Sequence, residues 1–344
     1  MKIIFALLFL TLLALPSKLQ AQNNEPDTGQ ETNKSFVSVP VMVSDREGHY
    51  IPGLKREDFS VYQDGVKQKI NFFSTYNEPL KIALLLDTSK STRNVIKKIR
   101  EAAKEFVGSL NANDECEVAT FDSQVKIINS FTSNQKVIKN ALDKVEINEH
   151  GGTLMYNAVK QIAQESFNNV KGRKVIILLT DGNDFGSSVT KGEFMNLLEE
   201  SDVLIYTVFF KTSNSLDESM NAAKRKKIKK PRKKKKDDLN SIPAQAVYVQ
   251  SDEETVLLEK KDETEAIDSL KKMSDITAGR FYLSTVPDLK KAFKNITGEL
   301  TQQYRLGYNS KMAANDAAAH DITVKVDRPD VVVRARGTFR TKRS

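Results

Sequence analysis

The apolar positions change their period twice along the chain. From Phe36 to Val43 they alternate, with Val37, Val39, Val41 and Val43 on one face, as in a half-buried strand. Phe59-Ser60-Val61-Tyr62 and Lys69-Ile70-Asn71-Phe72 lie on either side of Asp64-Gly65, a pair suited to a tight hairpin turn. Residues 36–75 therefore predict a small β unit. From Lys81 the pattern becomes strand, helix, strand. Ile82-Ala83-Leu84-Leu85-Leu86 is uninterrupted and apolar, as expected of a strand covered on both faces. Val95, Ile96, Ile99, Ala102, Ala103, Phe106 and Val107 then recur at helical spacing. Glu117 to Phe121 and Val125 to Ile128 predict two strands, and 135–145 and 154–168 two helices. Val175 to Leu179 and Val203 to Phe210 are further buried strands, each preceded by a helix. A helix over Leu270 to Ile276, a strand at Phe281-Tyr282-Leu283 and a helix over Leu289 to Leu300 complete the series. Alternation returns at Tyr304, Leu306 and Tyr308, at Ile322, Val324 and Val326, and at Val331, Val333 and Ala335.

The expected fold is a doubly wound α/β domain over 80–303 with a mostly parallel sheet. The β strands of 36–75 and 304–340 are expected to pack together as one small flanking sandwich-like module. Residues 1–21 read as a secretory signal peptide: Lys2, an apolar run from Ile3 to Leu15 broken only by Thr11, then Pro16 and a small residue at Ala21. The run is short for a membrane span, and no cysteine follows it to carry a lipid anchor. The mature chain is expected to be secreted, periplasmic or at the cell surface, with 22–34 a disordered linker. Cys116 is the only cysteine, so no internal disulfide forms, and its strand-like surroundings predict a buried thiol.

Charge alters the picture at one place. Lys224, Arg225, Lys226, Lys227, Lys229, Lys230, Arg232, Lys233, Lys234, Lys235 and Lys236 put eleven positive charges into thirteen positions. That exceeds the net +8 of the whole 344-residue chain, so the remainder is acidic on balance. The run falls within an expected insertion at about 212–264. It is either a solvated loop or a surface for anionic polymers or membranes. Without neighbouring aromatics it lacks the stacking groups of a specific nucleic-acid site.

Candidate chemistry gathers at strand ends. Asp87-Thr88-Ser89-Lys90-Ser91 follows the first buried strand, Gly151-Gly152-Thr153 precedes a helix, and Leu179-Thr180-Asp181-Gly182 closes another buried strand. Open α/β sheets bind ligands at the carboxyl ends of their strands. Taken singly, such residues also serve as helix caps, and Ser91 or Thr92 is placed to do so. As an ordered set, Asp-x-Ser-x-Ser, Gly-Gly-Thr and Leu-Thr-Asp-Gly resemble the von Willebrand factor type A fold and its metal-ion-dependent adhesion site. The resemblance covers about 80–303. It implies that the hydroxyls of Ser89 and Ser91 ligate a metal directly, that Thr153 does so directly or through water, and that Asp87 and Asp181 hold coordinated waters. Oxygen donors alone suit Mg²⁺ or Mn²⁺. An acidic side chain of a protein partner is then expected to complete the coordination. Lys90 stands where the family usually has glycine, and Thr92-Arg93-Asn94 replaces the acidic positions that some integrins carry after the second serine. The segment Gly53-Leu54-Lys55-Arg56-Glu57-Asp58-Phe59-Ser60-Val61 is similar to the flanks of bacterial secreted proteins with related domains.

The leading expectation is a non-enzymatic adhesion or protein-interaction module. Two others stand beside it: a polyanion or membrane binder acting through the basic run, and a metal-dependent hydrolase with Asp122 or Asp184 as its base. No phosphate-binding loop, nucleophile elbow or zinc-protease motif is present. His150 adjoins the Gly-Gly-Thr loop, at the rim of the expected site.

Overall fold

The protein is described by a computed structural model over residues 35–75, 78–149, 151–211, 252–310 and 318–341. The expected signal peptide, linker, His150 and basic run lie outside those residues.

Four short strands open the chain: β1 (Ser35–Ser44), β2 (Phe59–Gln63), β3 (Val66–Gln68) and β4 (Phe72–Ser74). The α/β domain follows, with strands β5 (Leu80–Asp87), β6 (Glu115–Phe121), β7 (Val125–Thr132), β8 (Arg173–Thr180), β9 (Leu204–Lys211) and β10 (Phe281–Thr285). Its helices are α1 (Ile96–Gly108), α2 (Gln135–Asp143), α3 (Met155–Gln161), α4 (Lys191–Glu200), α5 (Asp252–Ile276) and α6 (Leu289–Leu300). Strands β11 (Tyr304–Ser310), β12 (Ala319–Val326), β13 (Val332–Ala335) and β14 (Thr338–Arg340) end it.

The six-stranded sheet runs β10-β9-β8-β5-β6-β7, parallel except for the antiparallel edge strand β7. Period-two alternation divides its side chains between two cores. Ile82, Leu84 and Leu86 face α1, α2 and α6, whereas Ala83 and Leu85 face α3, α4 and α5. Both faces are covered, which explains the unbroken apolar runs of β5 and β8. From β5 the chain proceeds to β6 and β7 on one side, then returns to β8 on the other. The carboxyl ends of β5 and β8 therefore flank the crevice where strand order reverses.

Two four-stranded sheets, β13-β1-β11-β4 and β14-β12-β2-β3, form the flanking module. Each mixes strands from both ends of the chain. β1 pairs with β11 and β13, and β2 with β12, all antiparallel. Val39, Val41, Phe59, Val61, Tyr304, Leu306, Tyr308 and Ile322 meet in their shared core. The Tyr304 hydroxyl accepts from Leu54 N–H at 3.0 Å and donates to the Ile51 carbonyl at 2.7 Å, tying the 51–54 loop to β11. Removing 304–344 is expected to uncover this core and cause aggregation, while a 78–303 fragment stays soluble. Light scattering of both proteins checks this; a soluble, monodisperse truncation would show that the two ends do not depend on each other.

Local structure differs from the sequence pattern in two places. The Asp64-Gly65 turn, with φ of 49° and 79°, returns the chain as Val66–Gln68 rather than Lys69–Phe72. A two-residue turn with both φ positive fixes an immediate return, and Phe72–Ser74 then crosses to the other sheet beside β11. Helix α5 starts at Asp252, well before the apolar spacing resumes. Its first turns are rich in Glu and Lys, which favour helix without marking a buried face. Among the described residues no helix is long and apolar enough to cross a membrane.

The α/β domain and the sandwich are joined by charge. Buried Arg336 donates to the carbonyls of Glu199 and Ser201 at 2.5 and 2.9 Å, where the negative end of the α4 dipole lies. Burial lowers its pKa to about 10, so it remains cationic at neutral pH. On α6, Glu299 is 2 % exposed and pairs with Arg280 before β10 and Arg334 of β13. It also accepts a hydrogen bond from Tyr282 at 2.8 Å. Its neighbour Tyr50 is pushed up to about 12, by burial first and then by the Glu299 charge.

Candidate metal centre

Asp87 is the last residue of β5 and 1 % exposed. Its Oδ1 accepts from Ser89 N–H at 2.9 Å, and its Oδ2 from the Thr180 hydroxyl of β8 at 2.6 Å. Thr92 then donates to the carbonyls of Ser89 at 2.9 Å and Asp87 at 3.2 Å, bracing the turn over Lys90–Thr92. Thr92 thus fixes this turn, and α1 starts at Ile96 without a side-chain cap. The two serines face each other with Oγ atoms 3.1 Å apart, and Ser91 Oγ donates to Asp181 Oδ1 at 2.9 Å. Four of the five expected site residues are thereby joined in one hydrogen-bonded group.

Thr153, the fifth, is not hydrogen-bonded to these four, and its backbone is held by other loops. Gly152 before it has φ of 119°, and a Cβ there would lie 3.1 Å from Ser123 Cα, so glycine is required. Leu154 N–H donates to the Asp122 carbonyl at 2.8 Å, and Thr153 exchanges two 2.9 Å backbone hydrogen bonds with Phe185. Thr153 is held between the β6–β7 turn and the loop after β8.

Burial pushes the Asp87 carboxyl upward, and the charge of Asp122 adds to this. Asp181 is pushed up to about 7, first by burial and then by Asp87. Two carboxyls sharing a desolvated crevice call for a cation there. The hydroxyl set suits a hard divalent ion. Adjacent ligands in an octahedral magnesium shell lie about 3.0 Å apart, given metal–oxygen bonds of about 2.1 Å. The Ser89–Ser91 separation of 3.1 Å is close to that edge, and Ser91 is at the same time hydrogen-bonded to Asp181 at 2.9 Å. Among the described residues no group of three His, Cys, Asp or Glu side chains could hold a metal, so a site here relies on its hydroxyls.

The two carboxylates considered as hydrolytic bases are engaged in holding loops. Asp122 accepts from Thr88 at 2.9 Å, Asn148 at 2.7 Å and Gln124 N–H at 3.1 Å. Asp184 accepts from Tyr156 N–H at 2.8 Å and the Ser187 hydroxyl at 2.5 Å. Cys116 is buried, and burial raises its thiol further above neutrality. The roles of Thr180 and Asn148 have no signal in the sequence, and Thr92, a cap candidate there, instead braces the turn. Thr180 sits inside the Leu-Thr-Asp-Gly motif, but nothing in the motif indicates that its hydroxyl would turn to Asp87.

A doubly wound sheet with hydroxyls and carboxylates at the ends of β5 and β8 defines a class, and comparison with known families agrees. Residues 82–183 match the von Willebrand factor type A domain family. No curated protein sequence matches the chain. Among solved structures, proximal thread matrix protein 1 from the mussel byssus is 17 % identical, with 70 % of this chain aligned to 51 % of that one at a TM-score of 0.47. The same mussel protein with a zinc-occupied MIDAS motif is 18 % identical over 70 % and 50 %, at 0.48. BatB from Bacteroides thetaiotaomicron is 14 % identical over 64 % and 97 %, at 0.43. The chain thus spans about half the length of the mussel protein.

Proposed function

We propose that this protein is an exported, non-enzymatic binding module in which a divalent metal captures an acidic side chain of a partner protein. The observation that carries the reading is the hydrogen-bonded group of Ser89, Ser91 and Asp181 above buried Asp87. Ser89 and Ser91 would hold the ion directly, Thr153 directly or through water, and Asp87 and Asp181 through water. The ion, Mg²⁺ or Mn²⁺, supplies positive charge at an open coordination position. Neutral hydroxyls next to it leave that charge largely uncompensated, so an incoming carboxylate gains most. The protein's own contribution is placement: Thr180 and Ser89 N–H fix Asp87, and Thr92 fixes the turn that aims both serines.

Binding to a host-surface extract in the presence of Mg²⁺ tests this. Chelation with EDTA should abolish binding and added Mg²⁺ should restore it. Binding that resists EDTA but fails at high salt would instead assign the interaction to the basic residues 224–236, because contacts to polyanions weaken steeply as salt rises. Turnover of any substrate would return the hydrolase reading.

A further inference from the structure

The loop after β8 carries one side chain that the metal site does not use. Phe185 is 74 % exposed, more than any other large hydrophobic among the described residues. Isolated apolar side chains on a surface are ordinary, but the position of this one is specific. Phe185 and Thr153 form an isolated antiparallel bridge, each N–H donating to the other's carbonyl at 2.9 Å. In such a pair the two residues stand directly opposite each other. Their side chains leave on the same face, with Cβ atoms about 5 Å apart. The ring of Phe185 therefore leaves the backbone on the face that carries the Thr153 hydroxyl.

The backbone under the ring is firmly set. Asp184, one residue before, accepts from Tyr156 N–H and from Ser187. Gly186, one residue after, has φ of 101°, and a Cβ there would lie 3.3 Å from Leu154 Cδ2. The loop is thus closed against the start of α3 on both sides of Phe185, and the aromatic is presented without a flexible stem. Lys90, between the two serines, is exposed and attracts anions but offers no apolar surface.

Building on the metal-site reading above, we infer that Phe185 determines specificity: it selects partners whose metal-binding carboxylate is flanked by an aromatic or large aliphatic side chain. The carboxylate takes the open position at the ion, and the neighbouring apolar group covers the Phe185 ring. Exposed aromatics on rigid backbone are efficient anchors, because little freedom is lost when they are covered.

Propionate and 3-phenylpropionate are suitable probes, since they share a carboxylate and differ by one ring. Binding of each to the full-length, Mn²⁺-loaded protein is read from paramagnetic broadening of the acid's proton signals. The phenyl acid should bind about two- to tenfold more tightly, the range expected of one aromatic pair. In Phe185→Ala the two acids should bind equally, with Mn²⁺ and propionate affinities unchanged; Phe185→Leu should keep part of the preference. Failure of Mn²⁺ to bind, or of propionate to be broadened, overturns the metal-site reading and this inference with it. If both bind but the wild type shows no preference, or the preference survives Phe185→Ala, the inference alone is overturned.

Discussion

Replacing Asp181 with Asn should weaken Mg²⁺ and Mn²⁺ binding sharply while making the metal-free protein more stable at pH 8. The two effects share a cause. In the folded, metal-free protein the Asp181 carboxyl titrates near 7, above its ordinary range, because burial and Asp87 oppose its charge. A raised carboxyl pKa means that the folded state binds the proton more tightly than the unfolded state. Its effect on stability is therefore absent below about pH 4, the ordinary carboxyl value, grows more unfavourable as pH rises from there, and is complete above 7. Asn removes that cost, so Tm should rise most at pH 8, less at pH 5, and change little at pH 4 or below. A bound divalent ion would supply the charge that offsets the same cost. Calorimetric titration of the variant should show a loss of about ten- to a hundredfold in metal affinity. In the wild type, ion binding should release a proton, so affinity should fall about tenfold for each pH unit below 7. Asp87→Ala should lose metal binding likewise. Unchanged metal affinity in both variants would remove the metal site from consideration.

The largest expected loss of stability lies far from that crevice, at Glu299. Its carboxylate faces Arg280, Arg334 and Tyr282 and is almost wholly buried. Burial alone would lower the Arg334 pKa, but Glu299 outweighs this and holds it above the usual arginine value. Glu299→Ala leaves Arg334 charged and half-buried without its counterion. Breaking a buried pair from one side typically costs about 3–5 kcal/mol. Urea denaturation followed by circular dichroism should show that loss as a lower midpoint. Combining Glu299→Leu with Arg334→Met should recover most of it, since Arg280 is already half exposed and can turn to water. A single-variant loss below about 1 kcal/mol, the range of surface pairs, would mean that the pair contributes no more than an exposed one.

The sequence was most informative where a single physical requirement dominates. Strands covered on both faces must be apolar throughout, so β5 and β8 stand out as Ile82 to Leu86 and Val175 to Leu179. The site residues are legible because three short motifs sit at strand ends in a fixed order. What escaped the sequence depends on which partner a polar group finds across a large separation. Thr180 reaches Asp87 across 93 positions, and Glu299 reaches Arg334 across 35. Glu299 also lies on the buried side of α6, where a hydrophobic pattern registers only a gap. Phe185 is illegible for a related reason: one aromatic in a polar loop has no period, and only its bridge to Thr153 sets it opposite a candidate site residue.

The sandwich drawn from both ends of the chain has a consequence in time as well as in space. As the chain is synthesised, β1 emerges long before its neighbours in the sheet: Ser35 is paired with Ser310 and Val41 with Tyr304. Until those residues appear, the valines of β1 have no sheet to join, and its hydrogen-bonding edges stay open to other chains. The intervening α/β domain can collapse on its own contacts first, and doing so brings Leu80 and Leu300 toward the same end of the molecule. That shortens the effective loop that β1 and β11 must close. Folding is thus expected to proceed from the middle of the sequence outward, with the two ends zipping together last and the earliest-made strands waiting longest.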